Sequence, residues 1–356
     1  MNFASDNVVG ASRPVLDALI AANEGARASY GNDDETRAVE ARLSEIFERE
    51  VAVCLVATGT AANALALSAF VPPYGAVLCH ANAHVMEDEC GAPEFFAGGA
   101  KLIGLDGVGA KIAPQTLARA LAAYPAPTRQ SPPFAVSISQ ASECGLVYRP
   151  AEIAALAEVA RGAGLSLHMD GARFANALVA LGCSPADMTW KAGIDVLSFG
   201  ATKNGCLAAE AVIVFDPARA KALPILRKRS GHTLSKGRLL GAQLLGYLGD
   251  DHWLANARHA NAMAARLADG LRRLPGVRLA WPAEANEVFP VLPLPVAERL
   301  RAQGAIFHPW APTALPEEFV LEAGEGVFRL VASFATREAD VELFLARAAE
   351  AVSAAA

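Results

Sequence analysis

Leu165-Ser-Leu-His-Met-Asp170-Gly-Ala-Arg173 and, further on, Val196-Leu-Ser-Phe-Gly200-Ala-Thr-Lys203-Asn-Gly205 are the stretches that decide the fold. Each opens on an apolar run of strand length and ends in a turn of small residues. In open α/β sheets the ligand crevice lies beyond the carboxyl ends of the strands. Asp170 and Lys203 follow two such runs, so they are expected to face one crevice from neighbouring strands. A carboxylate can hold a protonated ring nitrogen and a lysine can form an imine. These are the two groups a pyridoxal phosphate site needs most.

Working outward, further strands are expected at Val51–Val56, Gly75–Cys79, Phe134–Ser139 and Ala209–Phe215. Ala151 to Ala163 has the period of about 3.6 residues of an amphipathic helix. Strands alternating with helices imply a largely parallel sheet covered on both faces. From Arg238 the pattern changes to long helices, through Leu248 and again from Ala257 to Leu274. Short strands (Val288–Leu292, Val327–Ser333) then alternate with helices. The expected class is α/β, with a large domain over residues 1–245 and a smaller C-terminal α/β domain over 246–356.

The 356 residues carry a net charge of −6, are 53% hydrophobic and 19% charged. That suits a soluble, mildly acidic enzyme and speaks against a broad basic face for nucleic acid. From Val51 to Met86 there is no Asp, Glu, Lys or Arg, a length that could cross a bilayer. Thr58-Gly-Thr60, Asn63, Pro72-Pro73, Gly75, His80 and Asn82 break it up, so a buried strand–helix–strand unit is expected and no membrane partner. The six cysteines (54, 79, 90, 144, 183, 206) form no CxxC pair and no zinc-ligand spacing. They read as reduced core residues, and with no signal peptide at Met1–Asn7 the expected compartment is the cytoplasm.

Four further places bear on chemistry. Thr58-Gly-Thr-Ala-Ala-Asn63 runs from a strand into a helix start, where free N–H groups can bind a phosphate; the plain alternative is an ordinary capped helix. Arg173 is either an ion-pair partner or part of the site. His80 and His84 have the i, i+4 spacing of a metal pair, but with no third ligand no metal is expected. His84 could instead stack on an aromatic cofactor and handle protons near neutrality. Arg329, in the apolar Val327-Phe-Arg-Leu-Val331, needs a partner, either a substrate carboxylate or a structural acid.

Taken in order, the residues resemble the low-specificity L-threonine aldolases, pyridoxal phosphate enzymes of fold type I, over essentially the whole length. The resemblance rests on Ser5-Asp-Asn7, Tyr30-Gly-Asn-Asp33, Thr58 to Asn63, His84 with Glu89, His168 to Arg173, Ser198 to Lys203 and Phe328 to Ser333. It implies an aspartate aminotransferase-like large domain and these roles: Lys203 carries the cofactor, Asp170 binds its ring nitrogen and Arg173 braces it. Gly59 and Thr60 hold the phosphate, His84 stacks on the ring, and Ser5 and Arg329 bind the substrate carboxylate. It also implies a homotetramer with sites between subunits, so that Tyr30 and a basic segment such as Arg227-Lys-Arg229 reach a neighbour's cofactor. One segment departs. Many members carry a histidine in an Asn-Thr-His-Asn-Gly-like stretch, where this chain has Gln140-Ala-Ser-Glu143-Cys-Gly145. Glu143, His84 or a water then takes the role of base on the substrate hydroxyl.

The activity implied is retro-aldol cleavage of threonine, allo-threonine and related β-hydroxy-α-amino acids such as phenylserine, giving glycine and an aldehyde. A β-eliminating lyase with the same cofactor would release pyruvate and ammonia. A desulfurase-like enzyme would need a mobile cysteine, with Cys90 and Cys144 as the possible ones. A non-catalytic cofactor-binding regulator would dispense with Lys203 or Asp170, and both are present.

Overall fold

The computed structural model describes residues 1–124 and 129–354. Seven strands form the main sheet: β1 (Ala52–Val56), β2 (Ala76–His80), β3 (Lys101–Leu105), β4 (Pro133–Ser139), β5 (Ser166–Gly171), β6 (Val196–Gly200) and β7 (Glu210–Val214). Their order across the sheet is β1-β7-β6-β5-β4-β2-β3. β2 to β6 pair in parallel, and β7 alone runs against its neighbours, β1 and β6. All strand positions of β2, β5, β6 and β7 are buried, as their unbroken apolar runs demand when helices cover both faces.

The uncharged stretch 51–86 is the expected buried unit: β1, the helix Gly59–Phe70, then β2. Among the described residues no helix is long and apolar enough to cross a membrane. β3, at one edge of the sheet, went unread in the sequence because its apolar run is interrupted. Lys101 and Gly104 are exposed, so it lacks the continuous apolar run of its neighbours.

A second sheet is built from short strands: β8 (Arg278–Leu279), β9 (Glu287–Val288), β10 (Pro290–Pro293), β11 (His308–Pro309) and β12 (Glu325–Val331). All its pairings are antiparallel. A core distinct from that under the main sheet fills it, drawn from residues 264 to 352 plus Phe3. The N-terminal segment reaches this core through the Asn2–Ile306 bridge. The helix His252–Arg272 joins the two cores. Trp253 and Ala257 belong to the first, and Ala264, Leu267 and Leu271 to the second.

At the carboxyl edge of the main sheet two strand tips touch. A Cβ on Gly200 would lie 2.6 Å from Ala172 Cα and 2.8 Å from Gly171 O, so no side chain fits there. This contact sets the turn after Asp170 against the turn that carries Lys203.

Candidate active site

Beyond that edge lies a cavity of about 390 Å³. Asp170, Arg173, Lys203, Gly59, Thr60, His84 and Glu143 all line it, as expected of one crevice. Ser5, Tyr30, Arg229 and Arg329 do not line it within this chain.

Asp170 ends β5. Its Oδ2 accepts from Asn63 Nδ2 at 2.8 Å and its Oδ1 from Ala172 N at 3.0 Å. On the same strand face, His168 bridges Ser137 Oγ (2.8 Å) and Ser198 Oγ (2.9 Å). Burial pushes this imidazole down to about 4.

Lys203 rides on the short turn Thr202–Asn204 after β6. The turn is clamped from both sides. Asn204 Nδ2 donates to Tyr247 Oη and to Trp253 O, each at 2.8 Å. Glu210, at the start of β7, accepts from Ala201 N at 2.7 Å. Burial drives the Glu210 carboxyl up to about 7, although hydrogen bonds from Thr202 and Ala201 and the nearby Lys203 pull the other way.

Across the cavity, Thr58 Oγ1 caps the helix Gly59–Phe70 by accepting from Ala61 N at 3.1 Å. The N–H groups of Gly59 and Thr60 stay without intrahelical partners, at the positive end of a helix dipole. A Cβ on Gly59 would meet nothing within 4 Å, so this end of the cavity is open. These are the features of an anion cradle.

His84 begins the short helix His84–Glu87 and is half-buried. Its Nδ1 donates to Glu89 Oε1 at 2.8 Å, and its backbone N–H donates to Glu143 Oε1 at 3.2 Å. The hydrogen bond to Glu89, aided by the charges of Asp170 and Glu143, raises the imidazole above its ordinary value against the effect of burial. Asn63 Nδ2, which serves Asp170, also donates to Glu89 Oε1 at 2.8 Å. His84, Glu89 and Asp170 lie close enough together to suggest a metal. The amide hydrogens of Asn63, however, point at both carboxylates, where a cation would have to sit. His80 is no partner for such an ion, because its Nε2 bonds Gly107 O at 2.9 Å and its Nδ1 accepts from Asn82 N at 3.0 Å.

Arg173 reaches the cavity wall, but much of its guanidinium is engaged elsewhere. Nε donates to Asp6 Oδ2 at 2.8 Å and Nη2 to Asp6 Oδ1 at 3.1 Å, with Glu287 Oε1 at 3.3 Å. The ion-pair reading of this residue is therefore met by Asp6 and Glu287, not by Asp170. Burial works to raise Asp6, yet the charges of Arg173 and Lys203 hold it below the usual carboxylate range.

The residues outside the wall have other surroundings. Ser5 Oγ accepts from Asn7 N at 3.1 Å, and it is Asn7 that touches the cavity. Arg329 lies 4.8 Å over the Trp310 ring, and its buried Nε has no hydrogen-bond partner. Tyr30, at φ 61°, is exposed with Lys228 Nζ 4.9 Å above its ring. Arg229 ends the helix Leu223–Arg229 and is exposed. Among the cysteines, Cys90 is exposed and Cys144 buried, and all six are free thiols.

The donor set fits pyridoxal phosphate: an anion cradle, a carboxylate with spare lone pairs, a primary amine and an imidazole share one cavity. Asn63, Glu89, Asp6, Glu287 and Glu210 were missed as site residues. Asp6, Asn63 and Glu89 lie inside motifs that carry the family resemblance. The partners of Asp6 and Glu287 lie far away in sequence, and nothing local marks them.

The beta-eliminating lyase family profile matches residues 2–293. The chain is 41% identical to a low specificity L-threonine aldolase of a Pseudomonas species, over 95% of this chain and 94% of that protein. It is 44% identical to the enzyme of the same description from Pseudomonas aeruginosa, over 86% and 88%. A solved structure of Leishmania major threonine aldolase superposes with a TM-score of 0.91 at 29% identity, covering 99% of both chains. The fold is thus the expected fold type I. The chain belongs to the beta-eliminating lyase family, within its low-specificity L-threonine aldolase branch.

Proposed function

We propose that this protein cleaves L-threonine and related β-hydroxy-α-amino acids to glycine and an aldehyde, with pyridoxal phosphate as cofactor. The observation that carries the reading is the meeting of Asp170, Lys203 and the Gly59–Thr60 helix start around one cavity, in a chain of this family. Lys203 would hold the cofactor through its amine, Asp170 its ring nitrogen, Gly59 and Thr60 its phosphate, and His84 one ring face. When bound, the cofactor supplies an electron-withdrawing ring that draws in the electron pair left on Cα.

The remaining work falls to the chain. Arg329 and Ser5 would hold the substrate carboxylate, which orients the Cα–Cβ bond. Neither lines the cavity in this chain alone, so the assignment requires Arg329 to turn off Trp310. Its unpartnered Nε supports this. His84 or Glu143 would take the proton of the β-hydroxyl. As the Cα–Cβ bond breaks, that oxygen becomes the aldehyde carbonyl, and Cα gains a proton to give glycine. Arg173 would brace the cofactor end through its ion pair to Asp6.

The exposure of Tyr30 and Arg229 supports a homotetramer in which they reach a neighbouring subunit's cavity. The two separate cores support a large and a small domain. Trp253 and Ala257 belong to the first core and Ala264 to the second, which favours a division within the helix His252–Arg272 over one at residue 245, with Phe3 packed in the small domain's core. A cytoplasmic location is in keeping with the four buried cysteines and six free thiols.

Purified protein given threonine should form acetaldehyde and glycine in equal amounts. Pyruvate and ammonia in their place would establish the eliminating lyase, which the family description keeps in view. Neither product would leave a cofactor-binding protein without turnover. Lys203→Ala should reduce turnover at least a thousandfold (about 4 kcal/mol in the barrier), and steady turnover in this variant would refute the role of the lysine.

A further inference from the structure

His84 and Glu89 are five residues apart, a spacing that puts two side chains on different faces of a straight helix. They meet because the helix stops at Glu87 and Asp88 leaves helical geometry (φ −113°, ψ 6°), which takes Glu89 off the helical path; two left-handed residues, Cys90 (φ 51°) and Gly91 (φ 73°), follow it. A left-handed conformation at a residue with a Cβ is uncommon. Here it accompanies the insertion of Glu89, whose side chain is fully buried, beneath the imidazole.

Glu89 Oε1 accepts two hydrogen bonds at 2.8 Å, one from His84 Nδ1 and one from Asn63 Nδ2. The other hydrogen of Asn63 goes to Asp170. Glu89 Oε2 is buried without a partner. An unsatisfied buried carboxylate oxygen is costly and unusual in a region with no other task.

We propose that Glu89 is a positioning residue for the reaction: it fixes the His84 ring with Nδ1 turned into the protein, leaving Nε2 as the nitrogen available to substrate, and through Asn63 it ties that ring to Asp170. The inference rests on the threonine-aldolase reading. A single amide thus couples the group over the cofactor ring to the group at the ring nitrogen. The charged groups facing His84 are Glu89, Asp170 and Glu143, and those facing Glu89 are His84 and Asp170. Burial raises the Glu89 carboxyl, against the hydrogen bonds from His84 and Asn63. The proton between the pair is therefore sensitive to either partner.

Two variants of the holoenzyme test this. Glu89→Ala removes the acceptor. Glu89→Gln keeps an oxygen for both hydrogen bonds, places its NH2 where Oε2 has no partner, and removes the charge. Glu89→Ala should lower kcat by about tenfold to a hundredfold, with threonine KM and cofactor affinity little changed. Glu89→Gln should recover most of that kcat. In both, the His84 ring titration seen by NMR, and with it the acid limb of kcat against pH, should move to lower pH. The proposal is overturned if Glu89→Ala keeps the kcat and His84 titration of the unmodified protein. It is equally overturned if the loss follows the folded, cofactor-loaded fraction alone, or if Gln is as impaired as Ala. Acetaldehyde release by the unmodified protein, measured alongside, tests the threonine-aldolase reading separately.

Discussion

His168 shows how a single residue under the site reports on the whole molecule. It is fully buried between two serines and held neutral, down to about 4. An unfolded chain protonates its histidines below about 6.5, and this one resists, so the unfolded state binds more protons between pH 6.5 and 4. The stability His168 contributes is complete above 6.5 and is lost as pH falls toward 4, on the order of 3 kcal/mol in all. NMR of the ring at pH 5.5 should show a neutral imidazole, and a protonated ring there would refute its buried bridging role. Legibility at this scale followed sequence distance. Asp170 and Lys203 could be read because each ends an apolar run. Asp6 and Arg173 pair across 167 positions, and no local pattern announces such a partner.

Among the elements, the helix Gly59–Phe70 was the easiest to anticipate. Thr58 is its N-cap as expected, and the apolar residues after it are buried from Ala61 to Leu67. Thr58→Ala should cost about 1 kcal/mol of stability, and Thr58→Ser much less. A matching loss of cofactor affinity in the Ala variant, measured by fluorescence titration, would tie the cap to the phosphate cradle. Unchanged affinity and melting temperature would separate the two. Strands β2 and β4 to β7 fell within a residue or two of their expected bounds because burial on both faces writes itself as a continuous apolar run, and β1, although at an edge, kept an unbroken apolar run of its own. β3 is half-exposed at an edge, and β8, β9 and β11 are two residues long. Segments so short bury too little to imprint a period. The turn around Glu89 is equally silent, because nothing in Asp88 or Cys90 announces the end of the helix or the left-handed backbone that follows.

For the molecule as a whole, the site assembles where the N-terminal segment, the main sheet and the second sheet meet at the Asp6–Arg173–Glu287 cluster. Asp6→Asn should therefore loosen the N-terminal segment as well as the site. Hydrogen exchange of residues 2–8 should rise together with threonine KM, and an effect on neither would confine the cluster to packing. If Tyr30 and Arg229 serve a neighbour's cavity, Arg229→Ala should be impaired, and mixing it with Lys203→Ala should restore up to about a quarter of the unmodified activity through hybrid assemblies with one intact site per pair. No recovery on mixing would place Arg229 in its own subunit's site or in none. All of this depends on Lys203 being the amine that meets the cofactor. Borohydride reduction of the holoenzyme, followed by peptide mass spectrometry, fixes that contact permanently. The account predicts a reduced pyridoxal phosphate label on Lys203 alone, and a label on any other lysine, or on none, would contradict it.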